Sequence, residues 1–142
     1  MLARTFRWRQ SAHTMIRPGR NRDVPMQPMV VDPSDVAAEA VGPDDSRAVI
    51  KRNLVTQRDA APNFGMRLFE VEPGSATPHH KHPWEHEVFI VSGSGQLLTD
   101  KGPKPFAEGQ AVFVPPDTMH QFQNTGALPL KFLCMIPNSG DC

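Results

Sequence analysis

The sequence predicts an all-β domain, a small sandwich or barrel of short strands. Fifteen prolines and ten glycines in 142 residues argue against a helical bundle, because proline removes an amide donor and glycine leaves the backbone unrestrained. From Ala48 onward short apolar stretches recur. Between them fall the turn signals Pro73-Gly74, Ser92-Gly93, Lys101-Gly102-Pro103, Pro115-Pro116 and Thr125-Gly126. A chain of this length is expected to build one domain around one core.

Taken in order, residues 1–22 carry six arginines and no acid. That composition suits a tail, an organelle-targeting stretch, or a segment ahead of a true start at Met15, Met26 or Met29. Residues 23–45 add Pro25, Pro28, Pro33 and Pro43 among small and acidic residues, too little apolar surface to offset chain entropy. A flexible arm is therefore expected over 1–45, with one helical turn at Ser34 to Ala40 capped by Ser34 or Asp35. Such an arm can wrap or swap a strand with a neighbouring subunit. The barrel is expected over 46–142, with strands at 48–55, 64–72, 76–81, 86–91, 94–99, 111–114, 119–124 and 129–136. Phe89, Phe113, Phe122 and Phe132 are read as its core.

Charge and segment length exclude several partners. The formal net charge is zero, but residues 23–142 hold nine basic against fifteen acidic groups, a body near −6 that repels nucleic acid. No stretch reaches the roughly 18 apolar residues of a membrane span, and the first residues lack the apolar run of a secretory signal. The expectation is a cytoplasmic protein with no nucleic-acid or membrane partner. Cys134 and Cys142 are read as free thiols, since a reducing compartment and their closeness leave little for a disulfide to do.

Five of the six histidines fall at 79, 80, 82, 86 and 120. Alternate residues of an extended strand share a face, so His80 and His82 point together. His86 has the parity of Val88 and Ile90, the inward face of the next strand. His120 follows the tight turn Pro115-Pro116-Asp117-Thr118 and supplies a fourth nitrogen from a distant strand. Imidazoles that converge in this way bind divalent transition metals. His79 has the opposite parity to His80 and is expected to be exposed; His13 belongs to the arm and is assigned nothing.

Gly74-Ser-Ala-Thr-Pro-His-His80-Lys-His82-Pro-Trp-Glu-His86, then six residues and Gly93, resembles the first signature motif of the cupins. Gly109, five residues, Pro115, Asp117, His120, three residues and Asn124 resembles the second. The resemblance implies a double-stranded β-helix, the cupin or jelly-roll barrel, with a metal inside one end and a homodimer formed through swapped or paired edge strands. Two positions depart from the pattern. Asp117 stands where glycine is usual, but aspartate tolerates left-handed turns. His86 stands where most metal-binding cupins have glutamate. Glu87 would be the ligand if the loop were one residue longer, but His86 keeps the spacing to Gly93 and the inward parity.

The resemblance and the residues together give a chemical expectation. Four neutral imidazoles leave an ion its full +2 charge, which suits Lewis-acid work on neighbouring oxygens of a hydroxyketone or keto acid. Manganese or iron is expected first; cobalt, nickel and zinc accept the same ligands. In the last strand Lys131 faces solvent, so Leu130, Phe132, Cys134 and Ile136 face the barrel. A thiol near the ion would be a nucleophile, although a small core residue is the commoner fate of a free cysteine.

With no tyrosine in the chain, proton transfer falls to Glu87, His79 or Cys134. Arg67 reads either as a solvent-facing residue or as a candidate for a substrate carboxylate or phosphate, and Gln96 and Gln121 either as solvated strand positions or as candidates for a substrate oxygen. Lys51, Arg52 and Arg58 read as surface charges. Trp84 reads as a pocket wall or interface residue, and Asn124 and Pro115 as structural. The expected function is a metal-dependent enzyme acting on a small oxygen-rich metabolite. The specific form is thiol-assisted C–S cleavage of a methylthio-ketose phosphate by Cys134, as in the methylsulfurylases of methionine salvage that small four-histidine cupins resemble. An iron-dependent dioxygenase of a diketone or aromatic diol and a non-catalytic metabolite-binding module are the alternatives.

Overall fold

The computed structural model describes residues 26–43 and 46–140. The arginine-rich run at 1–22, His13 and Cys142 lie outside the described residues. The chain folds into two antiparallel sheets. The larger has the order β1-β2-β3-β9-β4-β7, from β1 (Glu39–Ala40), β2 (Val49–Val55), β3 (Phe64–Val71), β4 (His86–Ser92), β7 (Ala111–Val114) and β9 (Leu130–Pro137). The smaller, β6-β5-β8, is made of β5 (Ser94–Thr99), β6 (Gly102–Ala107) and β8 (His120–Gln123). No helix among the described residues is long and apolar enough to cross a membrane.

The pleat sorts side chains between the faces. Along β4 His86, Val88 and Ile90 are buried while Glu87, Phe89 and Val91 are exposed. Along β9 Leu130, Phe132, Cys134 and Ile136 are the buried set. The two inner faces meet in one core, where Phe132 stacks on Phe69 and on Phe122 with ring centroids 5.1 and 4.8 Å apart. Each such fully buried side chain is worth roughly 1.5–3 kcal/mol.

Asn124, 3 % exposed, fastens the end of β8. Its side-chain NH₂ donates to the carbonyls of Val71 and Leu128 at 2.8 and 2.9 Å, and its Oδ1 accepts from Gly126 N at 2.9 Å.

Four expectations are corrected. The stretch 76–81 is no strand. It touches β8 through the isolated bridges Ala76↔Gln123 and His80↔His120, and Pro78 between them has no N–H to continue a ladder. A strand does form at Gly102–Ala107, read above as part of a turn; Pro103 and Pro105 are tolerated because β6 is an edge. The helical turn expected at Ser34 to Ala40 is a short 3₁₀ turn, Pro33–Asp35, capped by Asp32, whose Oδ1 accepts from Ser34 N at 2.9 Å. The chain is extended again at Val36, and Glu39–Ala40 pairs with β2, so the sheet begins within the segment read as an arm. Finally, Phe89 and Phe113 are not core: they are 48 and 58 % exposed on the outer face, out of phase with His86 and Val114.

Candidate metal centre

His86 opens β4 and His120 opens β8, each held by a ladder on a strand whose inner face is core. His80 and His82 lie on the connection from β3 to β4. Two backbone hydrogen bonds fix it: His80 N donates to His120 O at 3.2 Å and His120 N to His80 O at 2.9 Å. The amide of Asp117 donates to His82 O at 2.8 Å from a turn in which Asp117 takes φ 59°, the left-handed geometry expected of it. One loop thus positions the other.

One ring nitrogen from each of His80, His82, His86 and His120 lies within 4.8 Å of the other three. Nitrogens bound on opposite sides of an ion at about 2.1 Å would be roughly 4.2 Å apart, so small side-chain shifts close the set on a metal. Three rings are held from behind. Nδ1 of His82 donates to Trp84 O at 2.8 Å, and Nδ1 of His120 donates to Thr118 O at 2.7 Å. Nδ1 of His86 lies 3.2 Å from Cys134 Sγ. Because a carbonyl only accepts, His82 and His120 carry their protons on Nδ1 and present Nε2 lone pairs to the cluster.

Nε2 of His82 lies 2.7 Å from Nε2 of His86. Two lone pairs that close repel unless a proton or a cation lies between them. The donor chemistry therefore fits a divalent ion.

The environment keeps the imidazoles neutral. Burial pushes His86 down from 6.5 to about 3, with the Arg67 charge as the next cause. His80, His82 and His120 are also lowered, each first by burial. Trp84 stacks on His82 with centroids 4.2 Å apart and 7° between planes. The indole also packs against the core and on Gly140, where any added Cβ would run into it.

The remaining candidates divide by parity. Glu87 does not join the histidines: it is exposed on the outer face, opposite Phe113 and Met135. Its carboxyl is raised by desolvation and by a hydrogen bond with Glu85. Gln96 also faces outward, because Gly95 and Leu97 take the inner positions of β5, and its amide donates to Gln123 Oε1 at 2.7 Å. His79 is exposed.

Arg67 and Cys134, directly paired across β3 and β9, both face inward, 6 and 2 % exposed. Arg67 Nη2 donates to Cys134 Sγ at 3.2 Å. Cys134 thus sits behind His86, on the Nδ1 side of the ring. The tie-backs to Trp84 O and Thr118 O escape a reading of the sequence because backbone carbonyls carry no residue signature.

Comparisons with known proteins agree with this geometry. The family model described as a cupin domain matches residues 67–136. The protein SchB of Streptomyces halstedii is 34 % identical over 100 residues, 69 % of this chain and 72 % of that protein. The structure of the polyketide cyclase RemF from Streptomyces resistomycificus superposes with a TM-score of 0.72 at 32 % identity, covering 79 % of this chain and 80 % of that one. The 1-methylthio-D-xylulose 5-phosphate methylsulfurylase of Rhodospirillum rubrum is 32 % identical over 71 residues, half of this chain and 46 % of that protein. With two sheets closed on one core, four convergent imidazoles and these likenesses, the chain belongs to the cupin family.

Proposed function

We propose that the protein is a metal-dependent enzyme that activates the carbon next to a carbonyl in a small, oxygen-rich metabolite. The observation that carries this reading is the convergence of four imidazoles, two of them fixed by carbonyls with their Nε2 lone pairs turned inward. A divalent ion held there would supply Lewis acidity. The protein's own groups do the rest. Burial keeps the ligands unprotonated and Trp84 walls one side of His82, while His80, the most exposed of the four, marks the side open to a ligand.

Acidifying the carbon beside a carbonyl is a step that could serve either kind of reaction named for the relatives, a polyketide cyclase and a 1-methylthio-D-xylulose 5-phosphate methylsulfurylase.

The second reading, C–S cleavage, is favoured by that relative and by the buried thiol. In it the Cys134 thiol gives up its proton and its Sγ bonds to the methylthio sulfur as the C–S bond breaks. The electron pair of that bond passes to carbon as an enolate that takes the proton. An external thiol then attacks the methyl-bearing sulfur of the enzyme disulfide and leaves with it as a mixed methyl disulfide, returning the Cys134 thiol. Cys134 would first have to leave Arg67 and His86. As placed, it orients His86 instead.

The test is hydrogen exchange into a panel of ketose phosphates and 2-keto acids in D₂O, followed by NMR with metal-loaded protein. Metal-dependent exchange that survives Cys134→Ser supports the first reading. Loss of turnover on a methylthio-ketose phosphate in that variant, with metal retained, supports the second. Tight ligand binding without exchange or turnover would make the protein a binding module.

A further inference from the structure

We infer that Arg67 is the anion anchor of this site, holding a carboxylate or phosphate on the same ligand whose other oxygens would face an ion held by the four imidazoles. The inference rests on the metal-dependent reading above and adds the class of substrate.

Arg67 lies midway along β3 on its inner face, between Gly65 and Phe69, and is 6 % exposed. Burying a guanidinium costs several kcal/mol unless an anion answers it. The cations on the adjacent strand have carboxylates: Arg52 pairs with Glu70 at 2.7 Å and Lys51 with Glu39 at 3.7 Å. Among the described residues no carboxylate pairs with Arg67. Its Nη2 is bonded to Cys134 Sγ, its Nε is buried with no partner, and its carbon lies 5.2 Å from the centroid of the Phe69 ring.

The surroundings add positive charge. The guanidinium lies beside the cluster, one thiol away from His86: its Nη2 donates to Cys134 Sγ at 3.2 Å, and that sulfur lies 3.2 Å from His86 Nδ1, so a divalent ion among those rings would add two further charges nearby. A site built this way is short of negative charge, and a ligand is the natural source. The free Nε belongs to the planar fork that takes carboxylate or phosphate oxygens in pairs. Cys134 holds the other arm and so sets the plane of the fork, while Phe69 supports its face. Phosphate monoesters and carboxylates of hydroxy or keto acids share this chemistry; a neutral sugar or an uncharged diketone does not.

The experiment uses the full chain loaded with cobalt, as wild type, Arg67→Met and Arg67→Lys, with metal content measured in each. Calorimetry follows binding of inorganic phosphate, glycolate and, as the neutral control, hydroxyacetone. Phosphate or glycolate should bind wild type, weaken about tenfold or more in Arg67→Met, and recover in part in Arg67→Lys, while hydroxyacetone changes little. The tighter of the two anions identifies the headgroup.

Equal anion affinity in wild type and a folded, metal-loaded Arg67→Met would overturn the inference. So would an ultraviolet thiolate band at neutral pH in the metal-free protein that Cys134→Ser abolishes, since the counter-charge would then be internal. Should Arg67→Met fail to fold, Arg67→Lys decides by the same titrations. If wild type holds no metal, the metal-dependent reading falls, and the anchor is judged separately by whether phosphate or glycolate binds the metal-free protein through Arg67.

Discussion

His86 is the residue in which the site's several constraints meet. Its ring is buried by the core, its Nε2 faces His82, and its Nδ1 touches Cys134, which in turn is held by Arg67. Removing it should release the ion, whereas Glu87→Ala, on the outer face, should leave metal content unchanged; elemental analysis of both variants checks this. Cys134→Ala should weaken metal affinity roughly tenfold by freeing the ring to turn, read by competition with a chelator.

Acid should act through the same residue. The folded His86 takes a proton only near pH 3 while the unfolded chain takes one near 6.5. Between those values the unfolded state binds more protons, so the metal-free protein loses stability as pH falls from about 6.5 towards 3 and is insensitive to this group above that window. Denaturant midpoints of the metal-free protein across that range give the test, with His86→Gln expected to flatten the dependence.

The elements that were legible in the sequence are those where parity and turn chemistry agree. The strands β2, β3, β4, β5, β7, β8 and β9 each stand within one residue of their predicted places, and along β4 and β9 burial alternates residue by residue. Where one residue type carries two meanings, the reading breaks. Lys101-Gly102-Pro103 reads as a turn, yet an edge strand needs no donor on its open side, so β6 forms across Pro103 and Pro105. Pro78 had the reverse effect and interrupted what looked like a strand at 76–81.

Asn124 illustrates a structural role the motif alone could only suggest. Replacing it with alanine strips hydrogen bonds from the carbonyls of Val71 and Leu128 and from the amide of Gly126. About 2–3 kcal/mol of stability should be lost, measurable by urea unfolding, because such groups are costly to leave unmatched.

At the scale of the whole molecule, the two sheets divide the work between an inner face that holds core and site and an outer face with an apolar patch. Phe89, Val91, Phe113 and Met135 lie exposed on neighbouring strands β4, β7 and β9. The homodimer expected from the family resemblance forms through edge strands, and β7, which carries Phe113, is one edge of this sheet. Phe113→Glu should then shift sedimentation from dimer to monomer, while a wild type that is monomeric at every concentration would remove the dimer from the account.

The four histidines were readable from their spacing, and His86 also from the parity of its strand, whereas His80 and His82 converge through backbone bonds to His120 and Asp117 and not through the strand expected at 76–81. The placement of Cys134 was half readable, since parity turned it inward, whereas Arg67 read equally well as a solvent-facing residue; only the register of β3 against β9 brings the two together behind His86. Glu87 and Gln96 were assigned to the site by chemistry although their parity turns them outward.

The most direct measurement is the metal content of the protein after chelation and reloading, wild type beside His120→Ala and His80→Ala. A single tightly held divalent ion per chain is expected in wild type and its loss in both variants, with the folded barrel retained by circular dichroism. A wild type that binds no ion, or variants that keep it, would contradict the account at its centre.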